Sequence, residues 1–226
     1  MRYPNIHAAR FLDRPNRFIA HCEMDGEVLT VHVKNTGRCR ELLVPGATVW
    51  LTHSDNPARK TAWDLIAVEK GSRLINMDAN APNAAFGEFV HSGAFLPGVQ
   101  SVRPEFPWGS SRFDFCLEAE EQTHLVEVKG VTLEEDGAVR FPDAPTERGV
   151  KHLQELQAAV KEGLCAHAVF IIQMADVRSF SPNDATHPAF GAALRAAASA
   201  GVQIHAFCCR VTPDTMAVDA PVPVVL

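Results

Sequence analysis

The sequence predicts an α+β protein: a small OB-like β-barrel over residues 1–80, then a mixed sheet flanked by helices over residues 81–226. Three observations point there. The first third holds about five short β-type runs separated by turn residues. A polar, turn-rich stretch at residues 76–83 then breaks that pattern. Beyond it, helical periodicity alternates with strand-like runs.

In the first region, residues 17–24 and 28–34 flank Asp25-Gly26, a pair suited to a tight hairpin turn. Residues 47–54 and 61–71 supply further strands, and Ser54-Asp55-Asn56-Pro57 turns the chain between them. In the second region, residues 84–95 read as a short helix, and residues 110–120 and 124–134 as a strand hairpin. Residues 145–163 form a helix: Val150, Leu153, Leu156, Val160 and Leu164 recur at three- and four-residue steps and make one apolar stripe. Pro145 suits its first turn and Gly163 its end. Residues 165–174 are continuously apolar, as in a strand buried on both faces. An Ala-rich helix over residues 187–201 and a strand over 202–212 complete a β-β-α-β-α-β order. The C-terminal residues 220–226 suit a sheet edge, either of this chain or of a second copy.

Composition narrows the class without deciding it. At 46% hydrophobic and 21% charged, the chain is an ordinary globular one, and no apolar run approaches a membrane span. The basic N-terminus lacks a continuous apolar segment, so no signal peptide is expected and a cytoplasmic location is. The six cysteines show no CxxC spacing and read as reduced thiols; the ten histidines show no ligand spacing. The net charge of −6 divides unevenly: residues 1–80 hold 11 Lys/Arg against 9 Asp/Glu, residues 81–226 hold 10 against 18. The carboxylate excess of the second region suits a metal site or a solvated surface.

The chemistry concentrates in residues 111–129. Strand alternation puts Phe113, Phe115 and Leu117 on one face and Arg112, Asp114 and Cys116 on the other. In the next strand Glu127 and Lys129 share a face opposite Val126 and Val128. A turn within residues 120–122 sets Asp114 across from Glu127 or Lys129, so the three polar groups converge between apolar strands. An ion pair satisfied within the protein is one explanation. The other is a hard divalent cation, Mg²⁺ or Mn²⁺, held by Asp114, Glu127 and a backbone carbonyl near Val128, with Lys129 orienting an attacking water. Four residues stand behind these: Glu88 as a further carboxylate, Asp143 as a helix cap, and Arg148 and Lys151 facing a phosphate backbone or solvent.

The barrel region adds a basic set: Arg10, Arg14, Arg17, Lys34, Arg38, Arg40, Arg59 and Lys60, with Phe11, Phe18 and Trp50 as stacking candidates. Asn35-Thr36-Gly37, Ser54-Asp55-Asn56, the strand carrying Asp114 with the Glu127-x-Lys129 pair, and the run from Phe141 through Thr146-Glu147-Arg148-Gly149 to Leu156 together resemble the sugar fermentation stimulation protein A (SfsA) family over nearly the whole chain. The resemblance implies an OB-like domain followed by a PD-(D/E)xK nuclease-like domain, with DNA bound without strong sequence preference. By position it makes Asp114 the nuclease-type aspartate and Glu127 and Lys129 the ExK pair. Phe113 stands where the broader nuclease pattern has proline, and Gln154 and Gln157 lie on a helix where some relatives carry a glutamine motif. Two functions follow as expectations: Mg²⁺-dependent phosphodiester hydrolysis, or a DNA-binding regulator of sugar metabolism that keeps the fold without catalysis.

Overall fold

The computed structural model describes every residue except Thr36, so the middle of the Asn35-Thr36-Gly37 loop lies outside the described residues. The N-terminal barrel is built from β1 (Ile6–Asn16), β2 (Ile19–Met24), β3 (Glu27–Val33), β4 (Thr48–His53) and β5 (Trp63–Lys70). Their order is β3-β2-β1-β4-β5, and a parallel pairing of β3 with β5 closes the ring. A sixth strand, β6 (Arg73–Asn76), folds back on β5. Inward-facing Phe11, Cys22, Val31, Val49, Leu51 and Leu65 fill the barrel. The longest strand, β1, escaped the sequence reading because few of its residues are buried and its exposed positions carry charge.

After the barrel come α1 (Ala81–His91), β7 (Val99–Trp108), β8 (Ser111–Ala119), β9 (Gln122–Val131), β10 (Leu133–Glu135), β11 (Ala138–Phe141), α2 (Glu147–Lys161), β12 (Cys165–Ile172), β13 (Ser179–Pro182), α3 (Pro188–Ser199), β14 (Gln203–Thr212) and β15 (Thr215–Pro221). Six of these strands form a mixed sheet ordered β15-β14-β12-β9-β8-β7, with β12 parallel to both β9 and β14. Helix α1 covers one face through Ala85, Phe86 and Val90. Helices α2 and α3 cover the other through Leu153, Leu156, Phe190 and Leu194, in a buried cluster that continues into the barrel. The simple β-β-α-β-α-β order is thus enlarged by β7, β15 and a small β10-β11-β13 sheet. The C-terminus covers an edge of its own chain: the Phe180 N–H bonds the Pro223 carbonyl, and the Val225 N–H bonds the Phe180 carbonyl.

Two helix ends differ from expectation. Thr146 caps α2, its hydroxyl accepting from the Gly149 N–H at 3.1 Å, so Pro145 precedes the helix and Asp143 is not its cap. Helix α1 starts three residues earlier than the apolar pattern suggests, with Pro82 in its first turn. The barrel is joined to the sheet by buried amides: Gln173 Nε2 donates to the Asn76 and Asp78 carbonyls at 3.0 and 3.1 Å. Met1 and Tyr3 also leave the barrel region, bonding the Met216 and Asp214 carbonyls of the second sheet.

Candidate functional site

The β8–β9 hairpin pairs Ala119 with Gln122 and Phe115 with Val126, a register that carried one step further sets Asp114 opposite Glu127. The ladder ends there because the Asp114 side chain replaces it: Oδ2 accepts the Val128 N–H at 2.7 Å. This break also corrects the expected faces. Phe115 and Leu117 pack under α1, whereas Phe113 lies on the other side, its ring 6.1 Å from His152 of α2 and 6.1 Å from Trp108. Asp114 Oδ1 is held by Asn83 Nδ2 of α1 at 2.7 Å. Since N–H and C=O of an extended residue face the same neighbour, the Val128 carbonyl also faces the Asp114 strand.

Glu127 is 4% exposed. Its Oε1 receives both the Lys129 ammonium and the His152 Nδ1–H. Its Oε2 is buried and has no hydrogen-bond partner among the described residues. Arg148 Nε donates to His152 Nε2 at 3.3 Å, which leaves the His152 proton on Nδ1, facing Glu127. The two carboxyls are pushed apart. Burial, then the Glu127 charge, drives Asp114 above its usual range, against the pull of the Val128 N–H and Lys129. Burial also pushes Glu127 up, but the hydrogen bonds from His152 and Lys129 outweigh it and hold Glu127 below its usual range. A group kept ionised while one of its oxygens lacks a donor calls for a cation or a water at that oxygen.

Among the described residues, no three His, Cys, Asp or Glu side chains are grouped to enclose a metal ion. Two carboxylates are nevertheless what a Mg²⁺-type site requires, since such an ion keeps several waters. The residues present therefore fit a divalent cation bound in that manner. Gly130 keeps the approach tight: a Cβ there would lie 2.5 Å from Gln173 Oε1 and 2.7 Å from Pro82 Cγ.

Of the four residues placed behind the centre, only two lie beside it. Glu88 is exposed, and its carboxylate pairs with the N-terminal ammonium at 2.6 Å. Asp143 Oδ2 instead accepts the Arg38 N–H at 3.1 Å, tying the barrel loop to the second domain. Arg148 and Lys151 line a cleft with His152.

The basic set of the barrel divides in the same way. Arg14 is a strut: its guanidinium donates to the carbonyls of Arg17, Asn35, Gly37 and Arg38 at 2.6–3.0 Å. Lys34 lies 3.2 Å from Asp64 and 3.4 Å from Asp78, Arg59 grips Asp64 with both terminal nitrogens, and Arg10 pairs with Glu23. These four have their charge answered within the protein. Arg17, Arg38, Arg40 and Lys60 are exposed and form no ion pair among the described residues. Arg17, Arg38 and Arg40 line one cleft of about 480 Å³. Phe18, 51% exposed, follows Arg17 directly, whereas Phe11 is core and Trp50 donates its indole N–H to Glu69.

Sequence reasoning missed Asn83 and His152. Asn83 sits in the polar run at residues 76–83, whose composition signals only a boundary, and His152 interrupts the apolar stripe of α2, which is the available signal. It also read the histidines as scattered. His124, His167 and His205 in fact stand side by side across β9, β12 and β14, with ring nitrogens 2.9 and 3.1 Å apart. Burial, then its two imidazole neighbours, brings His167 down to about 3, and burial also lowers His124 and His205.

The chain matches two family models. The SfsA N-terminal OB domain covers residues 12–77, and the sugar fermentation stimulation protein RE domain covers residues 80–215. It is similar to a sugar fermentation stimulation protein homolog of Desulfitobacterium hafniense, with 56% identity over 216 residues covering 96% of this chain and 94% of that one. A homolog from Clostridium beijerinckii is 50% identical over 226 residues, the full length of both. Among solved structures, Pyrococcus furiosus SfsA in complex with Ca²⁺ aligns at a TM-score of 0.91 and 26% identity, covering 100% of this chain and 98% of that one. The observed architecture is the expected one: an OB barrel followed by an α/β domain with a mixed sheet, which the RE-domain model of this family matches.

Proposed function

The chain belongs to the sugar fermentation stimulation protein family, and we propose that it is a DNA-binding nuclease that hydrolyses phosphodiester bonds with Mg²⁺ or Mn²⁺ and without strong sequence preference. The observation that carries this reading is Glu127: held ionised and buried, with no donor to Oε2 among the described residues, and near enough to Asp114 for its charge to raise that carboxyl. That a similar protein was solved with Ca²⁺, another oxygen-seeking divalent cation, supports it.

Asp114 and Glu127 would hold the cation, with the Val128 carbonyl facing the same edge. When bound, a divalent cation supplies Lewis-acid polarisation of the phosphate and makes water more acidic. The protein's own groups do the rest. Asn83 and the Val128 N–H aim Asp114. His152 and Lys129 keep Glu127 ionised and turn its Oε1 away, leaving Oε2 for the metal. Lys129 Nζ, 21% exposed at its side chain, orients water and offsets charge developing on the phosphate. Arg17, Arg38 and Arg40, with Phe18 as a stacking face, would track the strand on the barrel.

A supercoiled-plasmid assay with Mg²⁺ or Mn²⁺ tests this, with gel retardation in EDTA alongside. Nicking by the wild type that falls about 100-fold or more in Glu127→Ala and Lys129→Ala is the expected result. Retardation without nicking would leave a DNA-binding protein in which the Glu127–Lys129–His152 group is a structural ion pair. The engagement of Lys129 by Glu127 is the observation that favours this second reading.

A further inference from the structure

We propose that the cleft between the β7–β8 turn and the first turns of α2 is a phosphate subsite adjoining the candidate centre. This rests on the nuclease reading and extends it by assigning a second contact to the substrate strand.

The cleft is about 420 Å³, and Ser110, Ser111, Arg112, Arg148, Lys151 and His152 line it. Its position follows from two local facts. The turn, tied through its serine hydroxyls to Glu155, presents Arg112 at the start of β8, and the α2 capping by Thr146 projects Arg148 and Lys151 from one helical turn. His152, only 3% exposed, lies in the wall and bonds Glu127. A ligand in this cleft is therefore one imidazole away from the centre.

The donors suit an oxyanion. Arg148 forms no ion pair among the described residues; only its Nε is engaged, at 3.3 Å to His152, which leaves both terminal nitrogens to donate as a fork. Lys151 Nζ donates to the Ser110 carbonyl at 3.2 Å, which holds it over the cleft. Arg112 has its nearest carboxylate, Glu105, at 3.7 Å, with both side chains 64% exposed. The acid of this region is Glu155, 3.9 Å from Lys151; its Oε1 accepts the Ser110 hydroxyl at 2.7 Å and its side chain is 15% exposed. Three cations thus face the cleft, while both serine hydroxyls turn to Glu155, which anchors the turn behind them. A phosphate on Arg148 would also load the arginine that orients His152. Occupancy of the subsite and the aim of Glu127 are then mechanically linked.

The ligand is either the terminal phosphate of a strand or an internal phosphate next to the scissile one. Titration calorimetry with inorganic phosphate, at constant ionic strength in EDTA, tests the site itself. Wild type and a Lys161→Gln variant at the far end of α2 are expected to bind alike, and Arg148→Gln and Lys151→Gln each to bind about tenfold more weakly. All three side chains are exposed, so the variants fold. Absence of phosphate binding by the wild type, or equal binding by all variants, overturns the proposal. Retardation of short duplexes with 5′-phosphate or 5′-hydroxyl ends then separates the sources. A loss in Arg148→Gln confined to phosphorylated ends assigns the terminal phosphate, and an equal loss on both assigns the internal one. Phosphate binding that depends on Arg148 in a protein that neither retards nor nicks DNA would leave the subsite standing and remove the nuclease reading. Metal-dependent nicking untouched by Arg148→Gln, with no phosphate binding, would do the reverse.

Discussion

Glu127 and Glu134 lie seven residues apart, are almost equally buried at 4% and 3% exposed, and each meets two basic partners. Their remaining valences differ completely. Glu134 Oε2 takes Lys70 at 2.8 Å, and Oε1 takes Arg73 at 2.6 Å and the Gly137 N–H at 2.5 Å. Both cations come from the barrel, so Glu134 clamps the two domains. Glu127 crowds its donors onto Oε1, leaves Oε2 empty and faces a second carboxylate. A buried charge with every lone pair satisfied is architecture. One with a lone pair held open beside a like charge is arranged for something added later.

The largest expected effect is on stability at the clamp. Glu134→Ala strands Lys70 and Arg73 and is expected to cost about 3–5 kcal/mol, whereas Glu127→Gln, which keeps an acceptor for His152, costs about 1 kcal/mol or less. Paired urea denaturation curves check this, and equal losses would break the comparison. Gly130→Ala comes next, at about 1–3 kcal/mol, because the new methyl group meets Gln173 and Pro82. It should displace α1 from Asp114 and reduce nicking while the Glu134 clamp stays intact.

Acid should act on the two sites with opposite sign. Burial pushes the Glu134 carboxyl up, but Lys70 and the Gly137 N–H outweigh it and hold it below its ordinary 4.5. Its contribution is therefore present above pH 4.5 and is lost as pH falls through the depressed folded value. Asp114 is raised above 3.8, so its ionised form opposes folding at neutral pH, and that opposition is relieved as pH falls through the raised value. In EDTA, Asp114→Asn should raise Tm at pH 7 by an amount that shrinks toward acid. Glu134→Gln should lower Tm at pH 7 by an amount that also shrinks, but only below pH 4.5. A Tm loss in Asp114→Asn at pH 7 would contradict the assignment. The smallest effect belongs to Arg17→Gln: about 0.5 kcal/mol or less in stability, with the salt slope of DNA retardation reduced by about 1. Arg14→Gln, by contrast, should destabilise the barrel, because the terminal nitrogens of Arg14 serve four carbonyls, whereas Arg17 forms no ion pair among the described residues.

How much could be read in advance varied with the range of the interactions involved. The β8–β9 hairpin was legible because its turn and alternation are local, and they set Asp114 against Glu127 or Lys129; the observed register selects Glu127. The faces of Phe113 and Phe115 were not, since the phase break arises when the Asp114 carboxylate takes the Val128 N–H. The free and the engaged arginines of the barrel looked alike in sequence. Arg59 is neutralised by Asp64 on the strand after it, while Arg14 is consumed by carbonyls more than twenty residues away. His152 breaks the apolar stripe of α2, but its partner Glu127 is set only when β9 packs against that helix.

The sequence by itself determined the order of barrel and mixed sheet, the strands that carry Asp114, Glu127 and Lys129, and the family to which the chain belongs. Each of these follows from periodicity, turn chemistry or a motif, and these are properties of neighbouring residues. Only the tertiary structure decided which Glu127 oxygen stays open, which cations are free, and which three histidines meet. Charge and hydrogen-bond satisfaction depend on partners brought in from distant strands and helices, and a buried lone pair is filled or left empty by whichever donor the fold delivers there.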